Sequence, residues 1–284
     1  MKILAGGAIW LAAVIALRLN LIEALTLWAP FVIVPLGLRA IPLKSMELPA
    51  FIGALFAAAS FIPAPGNLAG ALAAPWALVT FAMAFIGAAR LFRRGRQVGV
   101  ETLIDAALML IAVGGAGLVM SRAGMKPGGF DEPIVLLTAV HFHYTAFAAP
   151  VLAGLAGRYA GPRRSILLAG GLVVIATPML AAGFTLHLPA LKLAAITAIA
   201  AGLLILSMEL VWIATSLPRA KSRILLGIAA FSIFWGMILA VLYGIGENLG
   251  PPLITIPAMA LSHGVLNGFG FATCGLLSAQ DWRP

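Results

Sequence analysis

Runs of about 20 apolar residues recur from one end of this chain to the other, and short loops carrying arginine or lysine separate them. A segment lying in lipid must satisfy its own backbone N–H and C=O groups, so runs of this length become membrane-spanning α-helices. A β-barrel would need segments of alternating polarity, and the runs here are continuous. Composition agrees: 62% of residues are hydrophobic and 10% charged, whereas a soluble surface needs roughly 25% charged residues. Mean hydropathy is +1.09. The fold class that follows is all-α, a polytopic transmembrane helix bundle of a cell membrane. It is expected as a single integral membrane domain over residues 1–284, with membrane lipids as its surroundings.

About ten spans are expected, near residues 2–17, 20–38, 48–63, 68–91, 101–121, 132–157, 164–185, 190–215, 223–245 and 252–277. Arg18-Leu19-Asn20 separates the first two weakly, and if they form one broken element the count is nine. The Met1-to-Leu17 stretch has the lysine and apolar run of a signal peptide. It lacks a small-residue cleavage site before Arg18 and reads as the first span. With both termini in the cytoplasm, only Arg18, Arg122, Lys126 and Lys192 of the 18 basic residues fall on the outer side, as the positive-inside rule requires. The same distribution explains the net charge of +9 without a nucleic-acid partner. One cysteine, Cys274, excludes an intrachain disulfide and a cysteine-rich metal centre. Internal repeats and linkers are not evident.

Prolines within spans (Pro30, Pro35, Pro75, Pro150, Pro178 and Pro257) predict kinks where a backbone hydrogen bond is lost. Gly114, Gly115 and Gly117, and the pair Gly264 and Gly268, predict close helix approach.

Chemistry concentrates in two stretches, Val140-His141-Phe142-His143-Tyr144-Thr145 and Ser262-His263-Gly264-Val265-Leu266-Asn267-Gly268. Counted from Glu132 and Pro252, His141 and His263 lie roughly 13–17 Å deep at 1.5 Å per residue, near the middle of the bilayer. Matching depth on separate helices points to a shared cavity. Thr138, His141 and Thr145 share one helical face, while His143 lies about 200° around from His141. His263 and Asn267 are one turn apart on a common face. The expected catalytic group is therefore His141, His263, Asn267 and Glu209, with His143, Tyr144 and Thr145 as substrate-binding residues. Against this stands the structural alternative, in which neutral imidazoles only bond to neighbouring helices. Glu209 is the acid well inside a span, suited to carrying a proton, binding a ligand or pairing a buried cation. Asp105 and Glu47 sit near cytoplasmic helix ends and read as solvated or capping groups. His187 falls in a short outer turn.

Three histidines with an open position suit Zn²⁺, but the His141/His143 spacing argues against both binding one ion. A divalent metal is compatible with the residues and not required by them, and the metal ligands stay unassigned. The metalloprotease, Walker A and Gly-x-Ser-x-Gly signatures are absent.

The His-Phe-His-Tyr stretch with Phe147, followed by Ser262-His263-Gly264 and Asn267-Gly268-Phe269-Gly270-Phe271, resembles the YndJ-like family of bacterial integral membrane proteins. The resemblance is carried by residues 130–275. It implies the membrane class and the importance of these positions, and it implies no reaction. Three functions remain open: an intramembrane enzyme acting on a lipid-like or isoprenoid substrate, a proton-coupled transporter or permease, and a non-catalytic membrane scaffold. A small hydrophobic ligand fits the first two. Oligomeric state does not follow from the sequence.

Overall fold

A computed structural model describes residues 2–95, 97–250 and 253–282 of the chain. The expected start of the tenth span at Pro252, and the basic residues Arg96 and Arg283, lie outside the described residues. Helix makes up 85% of the structure, and no strand occurs among the described residues.

The apolar runs form ten helical elements in chain order: α1 (Lys2–Leu17), α2 (Leu21–Ala40), α3 (Glu47–Ala59), α4 (Asn67–Arg94), α5 (Val100–Arg122), α6 (Ile134–Ala160), α7 (Arg164–Thr185), α8 (Pro189–Ser216), α9 (Ala220–Leu249) and α10 (residues 256–279). Seven of them, α2 and α4 to α9, are long and apolar enough to cross a membrane. Their outward faces carry Phe85, Phe92, Ile175, Met208 and Phe231, each more than 60% exposed. Such a surface is stable only against lipid. The molecule is thus an integral membrane helix bundle.

Residues 18–20, expected to separate the first two spans weakly, divide them cleanly. Asn20 caps α2, its Oδ1 accepting from the amides of Ile22 (3.0 Å) and Glu23 (3.1 Å), and Glu23 Oε2 accepts the Asn20 amide at 2.9 Å. This reciprocal box starts a new helix. The indole of Trp10 then ties α1 to α2 by donating to the Ala24 carbonyl at 2.7 Å.

Two compact units divide the chain. One comprises residues 1–96 and 105–148, the other residues 97–104 and 149–284. In the first, α5 presents three glycines to its neighbours. A Cβ at Gly117 would stand 3.1 Å from the Ala139 amide of α6, and one at Gly115 would strike the Thr80 hydroxyl of α4. Arg122, only 7% exposed, ends α5 and donates to the Ser60 and Pro63 carbonyls at 3.1 and 3.0 Å. It thereby satisfies the open end of α3 with a cation.

The first unit also corrects the reading of Asp105. Its side chain is 0% exposed, with Arg90 Nε 2.8 Å from Oδ1 and Arg94 Nη2 2.8 Å from Oδ2. Gly87 is the cause: a Cβ there would come within 2.5 Å of the Asp105 carbonyl, so α4 and α5 run close enough to bury the carboxylate under arginines of the last turns of α4. Glu47 keeps its place in the first turn of α3.

In the second unit α7, α8, α9 and α10 pack as successive neighbours. A Cβ at Gly202 of α8 would meet the Ala169 carbonyl of α7 at 2.7 Å, and Ser207 of α8 donates to the Ala230 carbonyl of α9 at 2.8 Å. Along α9, Ser222, Ala229, Ser232 and Gly236 lie against Ser278, Gly275, Gly270 and Asn267 of α10 in antiparallel register.

The prolines act through turn type. α2 and α6 each contain one wide π-turn, at Ala29–Ile33 and Tyr144–Ala148. Pro35 and Pro150 follow these turns by two residues, so the carbonyl four residues before each proline lies within the wider turn, where the ring clash is eased. Pro75 and Pro178 are accommodated inside regular α-helix. Pro257 stands at the start of α10, where its missing N–H costs nothing.

Candidate functional site

Helix α6 begins at Ile134 and α10 at Ile256, so His141 and His263 each stand seven residues into their helix, about 10 Å from its start. These helix starts fall two and four residues after the positions expected from the sequence. His141 and His143 belong to the first unit and His263 to the second.

His143 is 1% exposed and packed against Trp76, itself 0% exposed. The Trp76 indole N–H is only a donor, so Nε2 of His143, 3.0 Å away, must be the acceptor. Nδ1 therefore carries the proton and donates to the Ala139 carbonyl at 2.7 Å. Both nitrogens are committed within the protein. The rings are near-coplanar, at 21° with centroids 5.7 Å apart. Gly114 makes room for them: a Cβ there would be 2.7 Å from His143 Nδ1. Tyr144, next in the chain, is likewise engaged, its hydroxyl donating to the Leu25 carbonyl of α2 at 2.8 Å.

His141 differs. Its Nδ1 donates to the Leu137 carbonyl one turn back at 2.7 Å, which leaves Nε2 as a bare acceptor, and the residue is exposed. The backbone carbonyl thereby orients the imidazole and fixes its tautomer. Thr145, four residues on and half-buried, lies on the same side of the helix.

In the second unit the Gly236 carbonyl of α9 accepts from His263 Nδ1 at 2.8 Å, and Asn267 Nδ2 stands 2.9 Å from His263 Nε2. The expected i, i+4 pairing of these two side chains is therefore present. Asn267 Oδ1 is buried without a hydrogen-bond partner, pressed against Gly236, where a Cβ would strike it. Around the pair α10 winds as π-helix over residues 260–264 and 266–273, and the side chains of Thr273 and Cys274 bond to carbonyls five residues back.

Glu209 lies apart from these histidines in sequence and bonding. Ser165 Oγ donates to its Oε1 at 2.6 Å and Arg163 Nη1 to its Oε2 at 3.3 Å, while the Arg163 guanidinium stacks 3.5 Å over the Trp212 ring. Of the roles expected for this acid, pairing a cation is the one its contacts display. His187 occupies the α7–α8 turn with φ 54°. Among the described residues no three His, Cys, Asp or Glu side chains converge as a metal set.

Trp76 is the site partner that sequence reasoning missed. It lies 67 residues before His143, and no local spacing links them.

A polytopic helix bundle with polar groups held inside its spans is an integral membrane protein. The chain matches the family model described as YndJ-like protein over residues 24–271 and belongs to that family. It is 29% identical over 224 residues to a Bacillus subtilis (strain 168) protein named "Uncharacterized membrane protein YndJ", covering 76% of this chain and 39% of that one. The chain thus spans about two fifths of that relative's length. No solved structure matches.

Proposed function

We propose that this chain is an intramembrane enzyme in which His141 acts as general acid–base on a lipid-like or isoprenoid substrate. The observation that carries the reading is the bare Nε2 of His141, on an exposed face, with the ring held through Nδ1 by its own helix. A base must reach the proton it takes in a hydrogen bond of about 2.6–3.2 Å, and His143 and His263 have their Nε2 atoms engaged by Trp76 and Asn267. The donor set favours acid–base chemistry over metal-activated water, because no three ligating side chains meet among the described residues.

The test uses purified protein in liposomes of total host lipid, with the lipid fraction followed by mass spectrometry. Wild type converts one lipid species, and His141→Gln slows that conversion by roughly 10²–10⁴-fold, the usual contribution of a general base. Conversion undiminished in His141→Gln, or no converted species with wild type, overturns the proposal.

One observation favours a second reading, proton-coupled transport. If His263 took a second proton and the Asn267 amide turned over, the orphaned Oδ1 would gain an N–H donor. Solute flux in proteoliposomes that ignores a proton gradient would remove this reading.

A further inference from the structure

We infer that the ligand of the α6 site is an alcohol, its hydroxyl held between His141 Nε2 and Thr145 Oγ1. The inference rests on the proposed role of His141 and adds the chemical class of what it meets.

Five polar side chains line residues 138–145 of α6, and three are satisfied internally. Thr138 donates to the Ile134 carbonyl, His143 is held by Trp76 and Ala139, and Tyr144 donates to Leu25. His141 Nε2 and the Thr145 hydroxyl have no hydrogen-bond partner among the described residues.

The Thr145 hydroxyl departs from the habit of the other threonines within spans. Thr26, Thr177 and Thr197 each donate to the carbonyl four residues back, at 2.7–2.8 Å. The π-turn at Tyr144–Ala148 explains the exception. It widens the helix where Thr145 sits, and the carbonyl four residues back, that of His141, already accepts from the Tyr144 amide. An unpaired hydroxyl donor inside a membrane span is unfavourable unless a partner supplies an acceptor.

The two free groups define their partner. Nε2 can only accept, so the ligand must offer a donor. The threonine hydroxyl has a proton to give, so the ligand must also offer an acceptor at the same place. An ammonium has no acceptor, and a ketone or ether has no donor. A carboxylate has no donor. A hydroxyl does both, and within a membrane span the rest of the molecule is a hydrocarbon chain.

The test is saturable photolabelling of the full chain in nanodiscs by a long-chain alcohol bearing a diazirine, with the methyl ether of the same chain as its control. The alcohol is expected to label at least tenfold more tightly than the ether. Thr145→Val should weaken alcohol labelling roughly tenfold, the scale of one hydrogen bond, and Thr145→Ser should restore it. Equal labelling by alcohol and ether, or undiminished labelling of Thr145→Val, overturns the inference. The two proposals fail separately. His141-dependent conversion of a lipid lacking a free hydroxyl would leave the acid–base reading standing and sink this one. Thr145-dependent alcohol labelling without any His141-dependent conversion would do the reverse.

Discussion

Replacing Trp76 by Phe removes one donor from a fully buried pair and little else. Trp76 is 0% and His143 1% exposed, and their bond is 3.0 Å long. With the indole N–H gone, His143 Nε2 becomes a buried acceptor without a partner, a loss of about 1–3 kcal/mol in soluble proteins. The smaller ring leaves a void of roughly 40 Å³, about 1 kcal/mol at ~24 cal/mol per Å³. Hydrogen bonds between membrane helices couple more weakly, about 0.6 kcal/mol on average and up to about 1.7. The expected loss for Trp76→Phe is therefore about 2–3 kcal/mol, of which about 0.6–1.7 kcal/mol is coupling to His143. A double-mutant cycle with His143→Leu, read by circular dichroism during unfolding in mixed micelles, separates the two. Single losses that add without a coupling term would refute the argument that this bond holds α6 against α4.

Gly114→Ala would place a methyl 2.7 Å from a ring fixed at both nitrogens. It should cost about 1–3 kcal/mol in the same assay, while Gly171→Ala, with nothing within 4 Å, leaves stability unchanged or slightly raised. Asp105→Ala removes the carboxylate between Arg90 and Arg94, and a loss near 3 kcal/mol is expected, the low end for a broken buried pair because both arginines are about a quarter exposed. At the end of the chain the Ser222 hydroxyl, followed by Arg219, holds the Asp281 carboxyl below its ordinary 3.8. A lowered folded-state pKa stabilises the fold fully above that ordinary value and loses its contribution as pH falls through the folded one. Ser222→Ala should therefore move acid-induced opening of residues 278–282, followed by hydrogen exchange, to higher pH.

How much of this was legible before the structure depends on the range of each interaction. Apolar run length alone foretold a helix for each of the ten elements, since the membrane imposes it locally. The His263–Asn267 contact was readable because it spans one helical turn. Asp105 was misread because its partners lie 11 and 15 residues earlier on another helix, and the approach that buries it depends on Gly87. Trp76 gave no signal at all, being one aromatic residue among many apolar ones. The prolines marked where backbone bonds would fail without telling that the repair in α2 and α6 is a π-turn, which depends on the packing around it.

His143 also has an effect beyond its own bonds, on the rotational setting of α6. One nitrogen is tied to its own helix and the other to α4, so turning α6 by a single residue, about 100°, would tear the imidazole off Trp76 and drive it from the notch at Gly114. His141, two positions earlier and on the far side, is aimed outward by that constraint. The His-x-His pattern is then a pin and a pointer: the buried imidazole is held at both nitrogens, and it decides which way the other one faces.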